Sequence, residues 1–142
     1  MDSKTKKRRI LYVDDELALQ EGLVKFLQTY FAVDSVASAD DALELLSERS
    51  NGAYDVVIID VRMPETQHVT DGNRGRTTGV ALVRKIRATG YDAPIIAYTV
   101  VHDNEIHDQL RIVGVDKVMM KNESARQVKA AIEELLGLDQ ME

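Results

Sequence analysis

Four apolar runs in this chain each stop on a side chain that can do chemistry. ILYVDDE runs into Asp14, Asp15 and Glu16, VVIIDVRMP meets Asp60, PIIAYTV reaches Thr99, and VDKVMMK ends on Lys121. An isolated aspartate after an apolar run is ordinarily a polar terminator, and Asp14-Asp15 could equally cap the helix that follows. Gathered on one rim, the same residues do more. Clustered carboxylates repel one another, which raises at least one pKa unless a cation compensates. Oxygen-only donors at a partly open site favour Mg2+, which keeps waters and accepts a phosphoryl oxygen as a further ligand. Lys121 and Thr99 on the far side would then hold the remaining phosphoryl charge. A carboxylate can itself attack phosphorus and form an acyl phosphate. Asp60, at the tip of a wholly apolar run, is the acid this scheme presents to a phosphodonor.

The scheme works only if the strand ends converge. Ile10–Val13, Val56–Ile59 and Ile95–Tyr98 are predicted strands buried on both faces, as in a parallel sheet. Ala32–Ala37 and Val115–Met120 mix in Asp34, Ser35, Asp116 and Lys117, which suits edge strands. Helical spacing links Leu19, Leu23, Phe26, Leu27 and Tyr30, then Ala39, Ala42, Leu43 and Leu46. Three more stripes follow: Leu82, Val83 and Ile86; Ile106, Leu110 and Val113; and Val128, Ala131, Ile132 and Leu135. Gly90, Gly114 and Gly137 stand where left-handed caps fall, and Ser124 with Gln127 forms a capping-box pattern. These are five βα units. They predict an α/β, flavodoxin-like doubly wound (βα)5 three-layer sandwich with parallel strand order 2-1-3-4-5. Ligands in such sheets bind beyond the carboxyl ends of the strands, where the four motifs end. One stretch is irregular. Glu65–Thr78, ETQHVTDGNRGRTT, is predicted to be a long loop between strand 3 and helix 3. Its Gly72-Gly75-Gly79 spacing is not a P-loop, because the lysine is missing.

The totals narrow the classes. A chain of 142 residues is one domain's worth and can bury a core. A net charge of −6 argues against the whole surface binding nucleic acid. Without cysteine there are no disulfides or thiolate metal sites, which suits a reducing cytoplasm. No apolar run approaches membrane-spanning length. The basic Lys6-Lys7-Arg8-Arg9 reads first as a solvated tail and second as a nucleic-acid or partner contact. His68, His102 and His107 have no metal-binding spacing. The expected organisation is a basic tail over 1–8, one domain over 9–137 and a short tail over 138–142.

ILYVDDE, VVIIDVRMP, PIIAYTV and VDKVMMK, in this order at strand ends, resemble the receiver domain of two-component response regulators. The resemblance runs from about Arg9 to Leu136. It implies a cytoplasmic phosphorelay module that is not an enzyme, catalysing only its own phosphorylation and dephosphorylation. Asp60 would accept a phosphoryl group from a sensor histidine kinase or phosphotransfer protein. Asp15 would bind Mg2+ directly and Asp14 largely through water, with Asp60 and the backbone carbonyl of Arg62 as further ligands. Lys121 would pair with the phosphoryl group, and Thr99 would swing to hydrogen-bond it. The face formed by helix 4, strand 5 and helix 5, roughly His102–Val113 and Val115–Leu136, would meet an output partner protein. A homodimer is left open; membrane and direct nucleic-acid contacts are not expected. No output domain follows the fifth helix, which implies a stand-alone module or a fragment of a longer regulator.

The chain also departs from that pattern. Asn122 follows Lys121 where the family usually has proline, often through a cis bond, and a non-proline cis bond costs about 2.5–4 kcal/mol. Val118 replaces the usual strand-5 aromatic; Tyr98 reads first as a core tyrosine and second as its substitute. Val100 stands where the family prefers a small residue, so its bulk is expected to slow access of donor or water. The loop before Gly79 is longer than usual; Arg74 and Arg76 in it read as solvated first and as phosphate contacts second. These departures keep open a pseudo-receiver, an interaction domain that does not switch by phosphorylation. An aspartyl-phosphate phosphatase is set aside because Arg62 occupies the place of its second aspartate.

Overall fold

Val56–Ile59, all four buried, form a central strand, β3, and the other strands assemble beside it. The computed structural model describes residues 7–48 and 54–138; residues 1–6 and 139–142 of the expected tails lie outside them. The strands β1 (Arg9–Val13), β2 (Ala32–Val36), β4 (Ile95–Thr99) and β5 (Lys117–Met120) complete a parallel sheet. Its order is β2-β1-β3-β4-β5, as expected. The helices are α1 (Glu21–Gln28), α2 (Ala39–Glu48), α3 (Thr78–Ala88), α4 (Asn104–Val113) and α5 (Ala125–Leu136).

Successive strand residues point to opposite faces, so the sheet divides two cores. Leu11, Val13, Val57 and Ile59 pack with Leu46 of α2, Ile86 of α3 and Leu110 of α4. Ile10, Tyr12, Ile58 and Tyr98 pack with Leu27 of α1 and Ile132 of α5. The register levels the strand ends, pairing Val13 with Ile59 and Thr99 with Met120. Three backbone bonds carry the ladders one residue further. The amide of Asp14 donates to Val36 (3.1 Å), that of Asp60 to Val13 (2.9 Å) and that of Lys121 to Thr99 (2.8 Å). At the far end of the chain, Ser124 and Gln127 make both bonds of the expected capping box.

The first helix begins differently from the expected stripe. Leu17–Gln20 wind as a 3-10 turn, and α1 starts only at Glu21. A 3-10 turn advances three residues per turn rather than 3.6, and Leu19 on it is 73% exposed instead of joining the core. Tyr30 lies past the end of α1, exposed, with its ring against Phe26 and beneath the Lys129 ammonium. Smaller shifts occur elsewhere. β2 stops at Val36, β4 continues to Thr99 and β5 starts at Lys117. Thr78 opens α3, so the long loop ends at Thr77.

Arg87 of α3 ties the end of its helix to the strands on that side. Its guanidinium donates to the carbonyls of Gly114, Tyr91 and Ala93 and to the Asp116 carboxylate, which also accepts from the Ile95 amide. Methionine keeps the stem but strands several part-buried acceptors, each costly to leave unpaired. Arg87→Met is therefore expected to lose about 2–3 kcal/mol in urea unfolding.

Candidate functional site

Beyond the strand ends the expected side chains meet. β1 delivers Asp14, 0% exposed, and the exposed Asp15; β3 delivers Asp60, 5% exposed; β4 delivers the buried Thr99. Lys121 follows β5, and its ammonium lies 2.7 Å from Asp14 Oδ2 and 3.2 Å from Asp60 Oδ2. One oxygen from each of Asp14, Asp15 and Asp60 lies within 4.8 Å of the others. The cleft they open into measures about 570 Å³ and is lined by Asp15, Asp60, Arg62, Arg74, Val100 and Lys121, among others. Asn122 does not displace the lysine, and no peptide bond among the described residues is cis.

Charge in the cleft is unbalanced. Asp14 and Asp60 share one ammonium, and Asp15 has no ion-pair partner among the described residues. Burial pushes the Asp60 carboxyl up to about 6, against the opposing pull of Lys121 and helped by Asp14. Burial also raises Asp15, with Asp14 adding to it. Burial alone would lower Lys121, but Asp14 and Asp60 outweigh it and hold the ammonium above its ordinary value. Both groups are thus raised, the lysine because its two acids outweigh burial and the aspartate because burial outweighs the lysine. A divalent cation with oxygen ligands fits the charge that remains. Asp14 is poorly placed to be a direct ligand. Its Oδ2 accepts from Lys121 and from the Tyr12 hydroxyl (3.1 Å), and its Oδ1 accepts from the Glu16 amide (2.8 Å).

Tyr12 is a member of this network that sequence reasoning passed over. Its place in the Ile10–Val13 run put it in the core, but nothing in its spacing showed that the phenol reaches Asp14. Tyr98 is a core tyrosine, its hydroxyl directed at the carbonyls of Glu123 (3.3 Å) and Lys121 (3.4 Å). The Thr99 hydroxyl accepts from the Val101 amide (3.1 Å). Val118 is half-buried against the core that holds α2, α3 and α4. Arg74 lines the cleft, whereas Arg76 lines a neighbouring groove of about 400 Å³ with Arg62, Val100, Val101 and His102. Among the described residues His68, His102 and His107 join no metal-binding group; His107 Nε2 bonds the Val101 carbonyl.

This sheet, with its acids and lysine at the strand ends, is matched over residues 10–133 by the model of the response regulator receiver domain. The chain belongs to that family, and receiver domains are generally signalling modules. Among curated relatives it is 37% identical over 91 residues to the response regulator MprA of Mycobacterium sp. (strain KMS). It is 35% identical over 91 residues to MprA of Mycobacterium leprae (strain TN). Each alignment covers 64% of this chain and 34% of the relative, so the chain spans about a third of those proteins. The fold matches a response regulator receiver domain protein from Clostridium thermocellum with a TM-score of 0.76 at 22% identity, over 92% of this chain and 94% of that one. A CheY-like receiver from Methanospirillum hungatei matches at 0.73 and 20%, over 93% and 98%.

Proposed function

We propose that Asp60 accepts a phosphoryl group and that the domain switches a partner interaction in a two-component phosphorelay. The observation that carries this reading is the Lys121 ammonium held between Asp14 and Asp60 in the lining of a cleft that Asp15 also lines. Asp15, Asp60 and the backbone carbonyl of Arg62 would hold Mg2+, with Asp14 acting through water, its own oxygens being engaged. Bound there, Mg2+ supplies the charge that the carboxylates lack and a ligand position for a phosphoryl oxygen. The chain's own residues position the reaction. Asp60 Oδ forms its bond to phosphorus as the donor's bond to phosphorus breaks, and the leaving group takes the electron pair. With acetyl phosphate that group is acetate, which needs no proton. Lys121 holds charge on the transferring group, and Thr99 leaves the Val101 amide to bond it in the active state. Such catalysis is positioning and electrostatics more than covalent chemistry. The physiological donor is a sensor histidine kinase or phosphotransfer protein, and the α4–β5–α5 face meets the output partner. The functional domain spans 9–137.

Beryllofluoride, a phosphoryl mimic, tests the site without turnover. Beyond any rise that Mg2+ alone gives, thermal unfolding of the full chain should shift further upward when beryllofluoride is added with Mg2+, and that further shift should vanish in Asp60→Asn. A wild-type chain that ignores the pair would instead be a pseudo-receiver.

A further inference from the structure

The long loop after β3 is a built element, and it brings a cation to the phosphoacceptor. Its Val69 is wholly buried, and Asp40 of α2 accepts from the Thr66 hydroxyl and the His68 amide. Two carboxylates organise the rest. Glu65 accepts from the amides of Asp71 (2.6 Å) and Gly72 (2.8 Å). Asp71 accepts from the amides of Asn73 (2.8 Å), Gly75 (3.2 Å) and Thr77 (2.7 Å) and from the Thr77 hydroxyl. Burial pushes Asp71 up, but these donors outweigh it and hold the carboxyl well below the usual range. The Met63 amide bonds the Gly75 carbonyl (3.1 Å), locking the loop onto the segment after Asp60.

Beside Gly75 stands Arg74 with φ +59°, the one non-glycine with positive φ among the described residues. For such a residue this conformation costs on the order of 1–2 kcal/mol, so the surrounding bonds hold it against its own preference. Arg74 lines the Asp60 cleft, and its guanidinium has no hydrogen-bond or ion-pair partner among the described residues. A phosphodonor is an anion approaching three carboxylates. An unpaired arginine at the mouth offsets that repulsion, and its planar fork matches two phosphoryl oxygens.

We propose that Arg74, presented by the carboxylate-ordered loop, binds the phosphoryl group of the incoming donor at the mouth of the Asp60 cleft. This rests on the reading of Asp60 as phosphoacceptor. Arg76 lacks the placement, since it lines the neighbouring groove.

Glycine at this position keeps the backbone conformation and removes the guanidinium. The second-order rate of phosphorylation by acetyl phosphate with Mg2+, read by intact mass on the full chain, is expected to fall about tenfold in Arg74→Gly. Arg74→Lys should recover part of the loss, and the variant's rate should depend less on ionic strength. Thermal stability and calorimetric Mg2+ affinity should hold or rise, because strain and a positive charge have both been removed. An Arg74→Gly rate equal to wild type would overturn the proposal, as would a rate loss matched by weaker Mg2+ binding or lower stability. A wild-type chain that forms no adduct would sink the phosphoacceptor reading and this proposal with it.

Discussion

Alanine at Gly79 is expected to cost about 3 kcal/mol of stability and to disable the cleft in the same stroke. Gly79 lies in the first turn of α3, and its amide donates to the Val61 carbonyl (2.8 Å). A Cβ built there would fall 2.6 Å from both the Asp60 carbonyl oxygen and the Val61 Cα. Both obstacles are backbone, so no side chain can swing aside. Either the helix lifts from the sheet or the tip of β3 moves. The first response sits at the upper end of ordinary overpacking costs, about 1–3 kcal/mol. The second shifts Asp60, and if Asp60 is the nucleophile proposed above, a misplacement near 1 Å costs roughly a hundredfold in rate. Urea unfolding and the acetyl phosphate reaction of Gly79→Ala should therefore decline together. A variant with the wild-type midpoint and rate would show that the helix–strand contact has slack that the geometry denies.

The second large effect is on pH. Burial raises Asp60 from 3.8 to about 6, so the native chain holds this proton more tightly than the unfolded chain does. Below about pH 4 both states are protonated and the site costs nothing. As pH rises through the window from about 4 to 6, the unfolded chain ionises first and stability falls. Above it the native state carries a buried carboxylate at a penalty of about 3 kcal/mol by linkage. Asp60→Asn removes the penalty, so the metal-free variant should be more stable than wild type by about 2–3 kcal/mol at pH 7.5. The two should converge near pH 4. Saturating Mg2+ should raise wild type more than the variant, because only wild type has the full set of acids to compensate. Chemical denaturation at the two pH values, with and without Mg2+, reads all three trends. If wild type were the more stable at neutral pH without metal, Lys121 would be compensating Asp60 more fully than its shared position allows.

Most of this site was legible because each reactive residue directly follows an apolar run. Once Ile10–Val13, Val56–Ile59 and Ile95–Tyr98 are taken as neighbouring parallel strands, Asp14, Asp60 and Thr99 have one rim on which to fall. What escaped depends on geometry that spacing does not carry. Leu19 keeps perfect helical spacing with Leu23, yet the 3-10 turn of Leu17–Gln20 leaves it exposed. The Tyr12 phenol reaches Asp14, two residues on and just past the end of its strand, although its position reads only as core. Arg74 is invisible to periodicity, because its placement is set by a loop folded around the Asp71 carboxylate. Asn122 raised a question about Lys121 that only coordinates could answer, and the 2.7 Å contact with Asp14 answers it.

Intact mass spectrometry of the full chain after incubation with Mg2+ and acetyl phosphate tests the central claim most directly. The account predicts a single hydroxylamine-labile phosphoryl adduct on wild type, absent without Mg2+ and absent in Asp60→Asn. An unmodified wild-type chain, or an adduct that survives in Asp60→Asn, would contradict it.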